Sequence, residues 1–368
     1  INTNNELKDA VALWLSNRDN AVEIYGNIEN WDVSRITDMS NLFGNAVEFN
    51  DNIGQWDVSQ VTTMIGMFQG AIVFNHDIGQ WDVSQVTTMY GMFTGAAAFN
   101  QDIGQWDVSR VTNMSWMFND AAVFNQVIGQ WNVSQVTNMY HMFSGATAFN
   151  QAIGQWDVSQ VINMENMFAG AAAFNQALGQ WNVSQVRTMK YMFAGAVAFN
   201  QDIEQWNVSQ VTTMERMFWH ATVFNQDIGQ WDVSQVTEMN DMFRGATAFN
   251  QDIGQWPIKD ETNLDKMFCY SGVNEETFLK HPKGTGKGIY GEKIGRYFRL
   301  PGPYESYDIL KKSRGKWQSI INKRNLEEAG LSKLLNKDLT DENLSNEDKG
   351  NVNNKIRVLE NLGTEIQS

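Results

Sequence analysis

Ten tryptophans recur at one constant interval through the first two thirds of the sequence, with no insertion or deletion between them. They are Trp31, Trp56, Trp81, Trp106, Trp131, Trp156, Trp181, Trp206, Trp231 and Trp256. A strict period of this length is typical of repeat proteins, in which each repeat contacts only its neighbours. The period therefore predicts one elongated repeat body, where a chain of 368 residues would otherwise suggest two or three globular domains.

Each repeat combines a strand-like pattern with a helix-like pattern. Residues 103–108 have the pattern Ile-x-x-Trp-x-Val, in which Trp106 and Val108 alternate with Gln105 and Asp107, and this predicts a short strand with one buried face. In residues 114–121, Met, Met, Phe and Ala follow the i, i+3, i+4, i+7 spacing of an amphipathic helix. A glycine follows in most copies, and we interpret it as a left-handed residue that ends the helix. These glycines are Gly70, Gly95, Gly145, Gly170, Gly195 and Gly245.

These patterns predict an α/β repeat solenoid with short parallel strands on one face and short helices on the other. Residues 1–25 are predicted as an N-terminal helical cap, because apolar residues fall at helical spacing in 5–16. Ten repeats fill residues 26–272, and an irregular linker is predicted over 273–315. Residues 316–368 are predicted as a helical tail, which either caps the solenoid or docks on a partner.

The charge is distributed unevenly along the chain. Residues 1–256 carry 8 Lys and Arg against 25 Asp and Glu, a net charge of −17, whereas residues 257–368 carry +2. An acidic repeat body repels phosphate, so we expect no nucleic-acid partner. Cys269 is the only cysteine, so no disulfide forms within the chain. We also expect no membrane span, because no run of 18 apolar residues occurs, and any targeting segment to lie outside this chain.

The repeat also resembles a known family. One copy reads Phe-Asn-Gln-Asp-Ile-Gly-Gln-Trp-Asp-Val-Ser, beginning at Phe99, and continues with Val-x-x-Met-x-x-Met-Phe. This sequence resembles the repeats of the BspA-like leucine-rich-repeat surface proteins. The resemblance covers roughly residues 26–272. It implies a curved, leucine-rich-repeat-like solenoid and a role in adhesion or protein binding at a cell surface. Such repeats also occur in large viruses, so a virion location stays open. The family supplies no catalytic residues.

Two sets of side chains are candidates for binding. On the predicted strands, an outward array of Asp or Asn suits a repetitive ligand such as a glycan, or serves only for solubility. Its aspartates, the array face, are Asp57, Asp82, Asp107, Asp157 and Asp232. On the predicted helices, the positions between the methionines and after the phenylalanine differ from copy to copy, and exposed aromatic and arginine residues there are typical of interface hot spots. The candidate partner-binding residues are Trp116, Tyr140, Tyr191, Arg216, Trp219 and Arg244.

Catalysis has little support in the sequence. The four histidines occupy different repeat positions, and the carboxylates recur along the repeats without converging on one cleft. We therefore expect no enzyme activity, no catalytic residue, no metal site and no cofactor. The residues favour a surface binding or adhesion scaffold for a protein or glycan partner, located outside a cell or on its surface. The alternative is a structural subunit of a larger assembly, such as a cell-surface layer or a large-virus particle, anchored by the C-terminal tail.

Overall fold

The computed structural model describes residues 1–273 of the chain, so the predicted linker and tail lie outside the described residues apart from Val273. Helix α1 spans Asn4–Ser16 and helix α2 spans Arg18–Tyr25. A short 3-10 turn at Ile28–Asn30 leads into the repeats. The Thr3 hydroxyl caps α1 by accepting a hydrogen bond from the Glu6 N–H at 3.1 Å. No helix in the described part of the chain is long and apolar enough to cross a membrane.

The repeats themselves contain neither of the two predicted elements. Each copy is one coil of consecutive turns, and the only β-pairing is a single isolated parallel bridge between neighbouring coils, such as Asn113 with Asn138. Coil 1 comprises residues 26–50, coil 2 comprises residues 51–75, and the numbering continues in equal steps up to coil 10. The predicted α/β repeat solenoid, leucine-rich-repeat-like with strands on one face and helices on the other, is therefore wrong for residues 26–273.

Backbone hydrogen bonds explain how the coils hold together without a helix or a sheet. Alternate N–H groups in residues 114–120 donate to the next coil: that of Phe118, for example, donates to the Met142 carbonyl at 2.9 Å. The N–H groups between them close turns within the coil, as when Met117 donates to the Met114 carbonyl at 3.2 Å. Buried peptide groups must be paired. This alternation pairs them half within a coil and half between coils.

The turns require two left-handed residues in every coil, four positions apart. At the second position the six predicted glycines have φ of 68–74°, so their left-handed conformation is confirmed although no helix precedes them. At the first position Gly66 and Gly91 have φ of 57° and 60°. Other coils place non-glycine residues there, including Trp116 at 62°. Side chains other than glycine, asparagine or aspartate rarely adopt this conformation, because Cβ crowds the backbone.

The core consists of ladders of equivalent side chains, one from each coil. Phe93 stacks on Phe118 with ring centroids 5.6 Å apart, and within one coil Phe118 stacks on Phe124 at 4.0 Å. The methionines are fully buried between them. A continuous apolar core therefore runs from α1, through Trp14, to Val273.

In coils 2–10 the indole nitrogen of the repeat tryptophan is also satisfied across the coil boundary, whereas Trp31 in coil 1 donates to the Gly26 carbonyl of its own coil. The Trp106 Nε1 donates to the Ile78 carbonyl of the preceding coil at 3.1 Å, and the equivalent bonds of coils 2–10 measure 2.9–3.2 Å. A buried donor without a partner costs about 1–3 kcal/mol. These tryptophans therefore fix the spacing of the coils as well as filling the core.

Another glycine of the repeat, which coil 8 replaces with Glu204, lies close to the next coil in most copies. A Cβ built at Gly154 would lie 2.5 Å from the carbonyl oxygen of Ala177. The same contact occurs at 2.4–2.5 Å at Gly54, Gly79, Gly104, Gly129 and Gly229. A methyl group at these positions would push neighbouring coils apart.

We therefore expect Gly154→Ala to lower the free energy of unfolding by about 1–3 kcal/mol, because the new methyl group collides with backbone of coil 7. Gly179→Ala is the matched control, because Gly179 occupies the same position one coil further on and its Cβ would lie 3.0 Å from the Asp202 carbonyl oxygen, a looser contact. Urea unfolding followed by tryptophan fluorescence measures both, and an equal loss in the two variants would contradict the proposed collision.

Candidate binding faces

The array face lies on turns. The Asp107 Oδ1 accepts a hydrogen bond from the Ser109 N–H at 3.0 Å, and Asp57, Asp82, Asp157 and Asp232 accept the same bond from the serine two residues on. All five aspartates are exposed, as predicted, but they stand on turns instead of strands. Hydrogen bonds from the Ser109 hydroxyl and N–H lower the pKa of Asp107, and Asp157 is shifted in the same way by Ser159.

This turn explains why aspartate and asparagine alternate on the array face. Asn132, Asn182 and Asn207 make the same bond to serine at 3.2 Å. Either side chain supplies the acceptor oxygen that the turn needs. Within residues 1–273, no group of three or more His, Cys, Asp or Glu is arranged to hold a metal ion. The array face therefore has a local structural role that accounts for its repetition.

The second candidate surface is formed by the variable positions and is called here the variable face. It comprises the two residues between the methionines of each coil and the residue after the following phenylalanine. The six predicted partner-binding residues all lie on it, but on turns in place of the predicted helices. None is fully exposed: Trp116, Tyr140, Tyr191, Arg216, Trp219 and Arg244 are half-buried. Contacts with their equivalents on neighbouring coils explain this burial.

An aromatic cluster occupies the variable face of coils 4 and 5. The indole of Trp116 stacks on the imidazole of His141 with centroids 4.0 Å apart and an interplanar angle of 2°. Tyr140 meets both rings edge to face, at 5.5 Å from Trp116 and 4.3 Å from His141. Burial lowers the pKa of His141, although Asp120 opposes the shift, and its Nδ1 is buried without a hydrogen-bond partner. The cluster is thus a neutral aromatic surface near pH 7.

A charged cluster occupies the variable face of coils 7–9. The buried carboxylate of Asp241 accepts hydrogen bonds from Arg216 Nε at 3.3 Å and from Arg244 Nη1 at 3.2 Å. Arg216 also donates to the Tyr191 hydroxyl and lies over its ring, 5.4 Å from the centroid. One carboxylate therefore fixes two guanidinium groups and leaves further N–H donors of both for a ligand.

An ion pair and an aromatic pair lie on the same coils as the charged cluster. The Lys190 ammonium pairs with Glu215 at 2.8 Å, and this hydrogen bond raises the pKa of Lys190. Trp219 meets His220 edge to face at 4.3 Å. The structure thus joins Trp116 with Tyr140, and Tyr191 with both arginines. It adds His141, Lys190, Glu215 and Asp241, which the sequence analysis left out of the candidate set although they occupy the same variable positions.

A cavity near the N-terminus was not predicted at all. It measures about 600 Å³ and lies between the end of α1 and the turns of residues 44–51. The Trp14 Nε1 donates to Asp51 at 2.8 Å, and Arg18 pairs with the same carboxylate while lying 4.6 Å from the Trp14 ring centroid. No motif in the sequence indicates it, because its walls come from two segments that are distant from each other in the sequence.

One family model matches most of the chain. Residues 15–128, 99–205 and 174–278 each match the family model described as "Mycoplasma protein of unknown function, DUF285". These three overlapping matches span residues 15–278, most of the chain. No curated protein matches the chain. The match supports a repeat protein and does not extend to the BspA-like leucine-rich-repeat proteins.

The turn of the array face makes a testable distinction between aspartate and asparagine. Asp107→Asn should leave the free energy of unfolding nearly unchanged at pH 7, because the Asn132 turn is equivalent. Asp107→Ala should lower it by about 1 kcal/mol, because the Ser109 N–H loses its acceptor. Chemical denaturation of the two variants and the wild type provides the measurement. Equal destabilisation by both substitutions would show that charge, and not the acceptor, matters at this position.

Protonation of His141 should lower the free energy of unfolding at acidic pH. Its pKa is lower in the folded chain than its ordinary value of about 6.5, so the unfolded chain binds more protons and stability rises with pH. The loss should begin as the pH falls through about 6.5 and grow until the depressed folded pKa is reached. Replacing His141 by Asn, the residue at the equivalent Asn166, should flatten this part of the curve. An unchanged pH profile of Tm between pH 7 and pH 5 would contradict the assignment to His141.

Proposed function

The chain belongs to this family of repeat proteins of unknown function, and we propose that it is a non-enzymatic scaffold that recognises a protein or glycan partner through its variable face. The array face is the weaker candidate, because its turns already account for its residues. The fold does not require the particular side chains that the variable face carries. That difference favours the variable face over the array face.

The observation that carries the proposal is backbone strain on the variable face. Trp116, Tyr191 and Arg216 have φ of 62°, 55° and 52°, at a position where Gly66 and Gly91 serve the same turn without strain. A bulky residue in this conformation costs on the order of 1–2 kcal/mol. Surface drift under selection for stability alone would favour glycine or asparagine there. Retained strain of this kind is typical of functional sites.

The chemistry of the variable face fits a binding surface. Tryptophan, tyrosine and arginine are the residues that contribute most to binding energy at interfaces. Here their side chains are held by stacking and by the Asp241 carboxylate, so little rotamer freedom is lost when a partner binds. Aromatic rings with hydroxyl and guanidinium donors suit protein side chains and sugar rings alike. The proposal therefore includes both proteins and glycans as partner classes.

The proposal places the protein outside a cell or on its surface, where the BspA-like proteins that its repeat resembles act in adhesion. It includes no catalytic step and no cofactor. A structural subunit of a cell-surface layer or virion, anchored by the tail, is the competing role. No contact within residues 1–273 favours that role, so it stands as an outcome of the experiment below.

We expect the double substitution Trp116→Gly and Trp219→Ser to abolish partner binding while the chain stays folded. Each change introduces the residue that another coil carries, at Gly91 and at Ser144, so the fold accepts both. Loss of the His141 stack is offset in part by relief of the strain at Trp116, and we expect the free energy of unfolding to change by less than about 1.5 kcal/mol. Binding is measured for the full chain on immobilised glycans and on displayed extracellular proteins.

The matched control replaces two residues of the array face, Asp107→Asn and Asp157→Asn, and should bind as the wild type does. Binding that survives in the variable-face variant but is lost in the control would refute the choice of surface. If no glycan or protein binds, and the full chain is instead recovered within a larger particle, the structural-subunit role replaces the proposal.

A further inference from the structure

A third surface, distinct from the array face and the variable face, is uncharged along eight coils. In each of coils 2–9, two turn residues precede the buried Phe of the second phenylalanine ladder. All sixteen are Ala, Val, Ile or Thr, although the body around them carries a net charge of −17. They are Ile72, Val73, Ala97, Ala98, Ala122, Val123, Thr147, Ala148, Ala172, Ala173, Val197, Ala198, Thr222, Val223, Thr247 and Ala248. We call this set the apolar turn surface.

The surface is open to solvent in the described part of the chain. Ile72 is 48% exposed, Val123 45% and Val223 42%. Four positions further along the chain, the central coils 5–7 carry Val127, Ala152 and Ala177, which are also exposed. A contiguous apolar patch of this kind typically marks an interaction site.

Acidic residues flank the patch at both ends. The position of Val127, Ala152 and Ala177 is aspartate in the coils on either side of them: Asp77, Asp102, Asp202, Asp227 and Asp252. All five are exposed, and their Oδ1 atoms accept the N–H two residues on. The aspartates at both ends of the patch disfavour binding of a second copy of this chain, because parallel and antiparallel pairing would both bring carboxylates together. The patch instead suits a partner with an apolar stripe and basic residues.

The chain itself contains such a partner. Residues 311–337, outside the described part, carry eight Lys and Arg against two Asp and Glu, a net charge of +6. Among them are Trp317, Ile320, Ile321, Leu331, Leu334 and Leu335, the apolar residues of the predicted amphipathic segment. We propose that residues 311–337 dock on the apolar turn surface of the same chain, with their basic residues toward its flanking aspartates.

Length and tethering agree with this assignment. The eight coils span roughly 35 Å at about 4.8 Å per coil. Residues 311–337 in helical form would be about 40 Å long. Residues 274–310 connect this segment to coil 10 and reach far beyond that distance when extended. Tethering also raises the effective concentration of the segment, so modest contacts suffice within one chain.

Zero-length carbodiimide cross-linking of the full chain, read by mass spectrometry, tests the proposal. Lys311, Lys312, Lys316 and Lys323 should cross-link to the five flanking aspartates several-fold more than to the array face. The array face is a matched control, because it also offers five exposed aspartates in equivalent turns. Equal yields at the two sets would overturn the proposal.

Substitutions test the same contact independently. Val127→Lys with Ala177→Lys should reduce the cross-links several-fold, because two positive charges are placed under a basic segment. Gln105→Lys with Gln155→Lys, at exposed positions beside the array face, should leave them unchanged. Equal effects of the two pairs would overturn the proposal. So would cross-links that join labelled to unlabelled chains in a mixture of isotopes, because the segment would then bind a second copy.

Discussion

In coils 1–9 the backbone N–H groups of the segment equivalent to residues 114–120 donate alternately within the coil and to the next coil, and the rest of the described structure depends on this alternation. Because the between-coil bonds recur at the same positions, every coil must have the same length and the same turn sequence. The Trp106 Nε1 bond to the Ile78 carbonyl and the close approach at Gly154 impose the same spacing. An insertion of a single amino acid would break all of these contacts at once.

The same constraint separates positions that are fixed from positions that are free. Residues facing the core form ladders of one residue type, because each ring or thioether packs on its own copy above and below. The array face is nearly as uniform, because its side chain closes a turn. The side chains of the variable face neither form the core ladders nor close a turn, so they can differ from coil to coil. Side chains can therefore change there without changing the stack.

The surface is divided into regions that differ in backbone strain and in charge. The variable face holds bulky left-handed residues, in an aromatic cluster around Trp116 and a charged cluster around Asp241. The apolar turn surface holds none of these and is bordered by aspartates. A single stack of coils thus presents the surface proposed for partner binding and, elsewhere, the uncharged surface proposed for the basic segment. Both proposals use the stack as a rigid support for different chemistry.

By itself the sequence determined the constant repeat period and the left-handed glycines, and it proposed the two candidate surfaces. It misassigned the helices and strands because Met114, Met117, Phe118 and Ala121 are buried by tandem turns at the spacing that a helix would also give. Only the tertiary structure decided which carbonyl accepts a hydrogen bond from each N–H. In a helix it would be the carbonyl four positions back, but the Phe118 N–H donates to the Met142 carbonyl on the next coil. The tertiary structure also decided that Trp116 is left-handed and stacked on His141, since both depend on neighbours in the next coil.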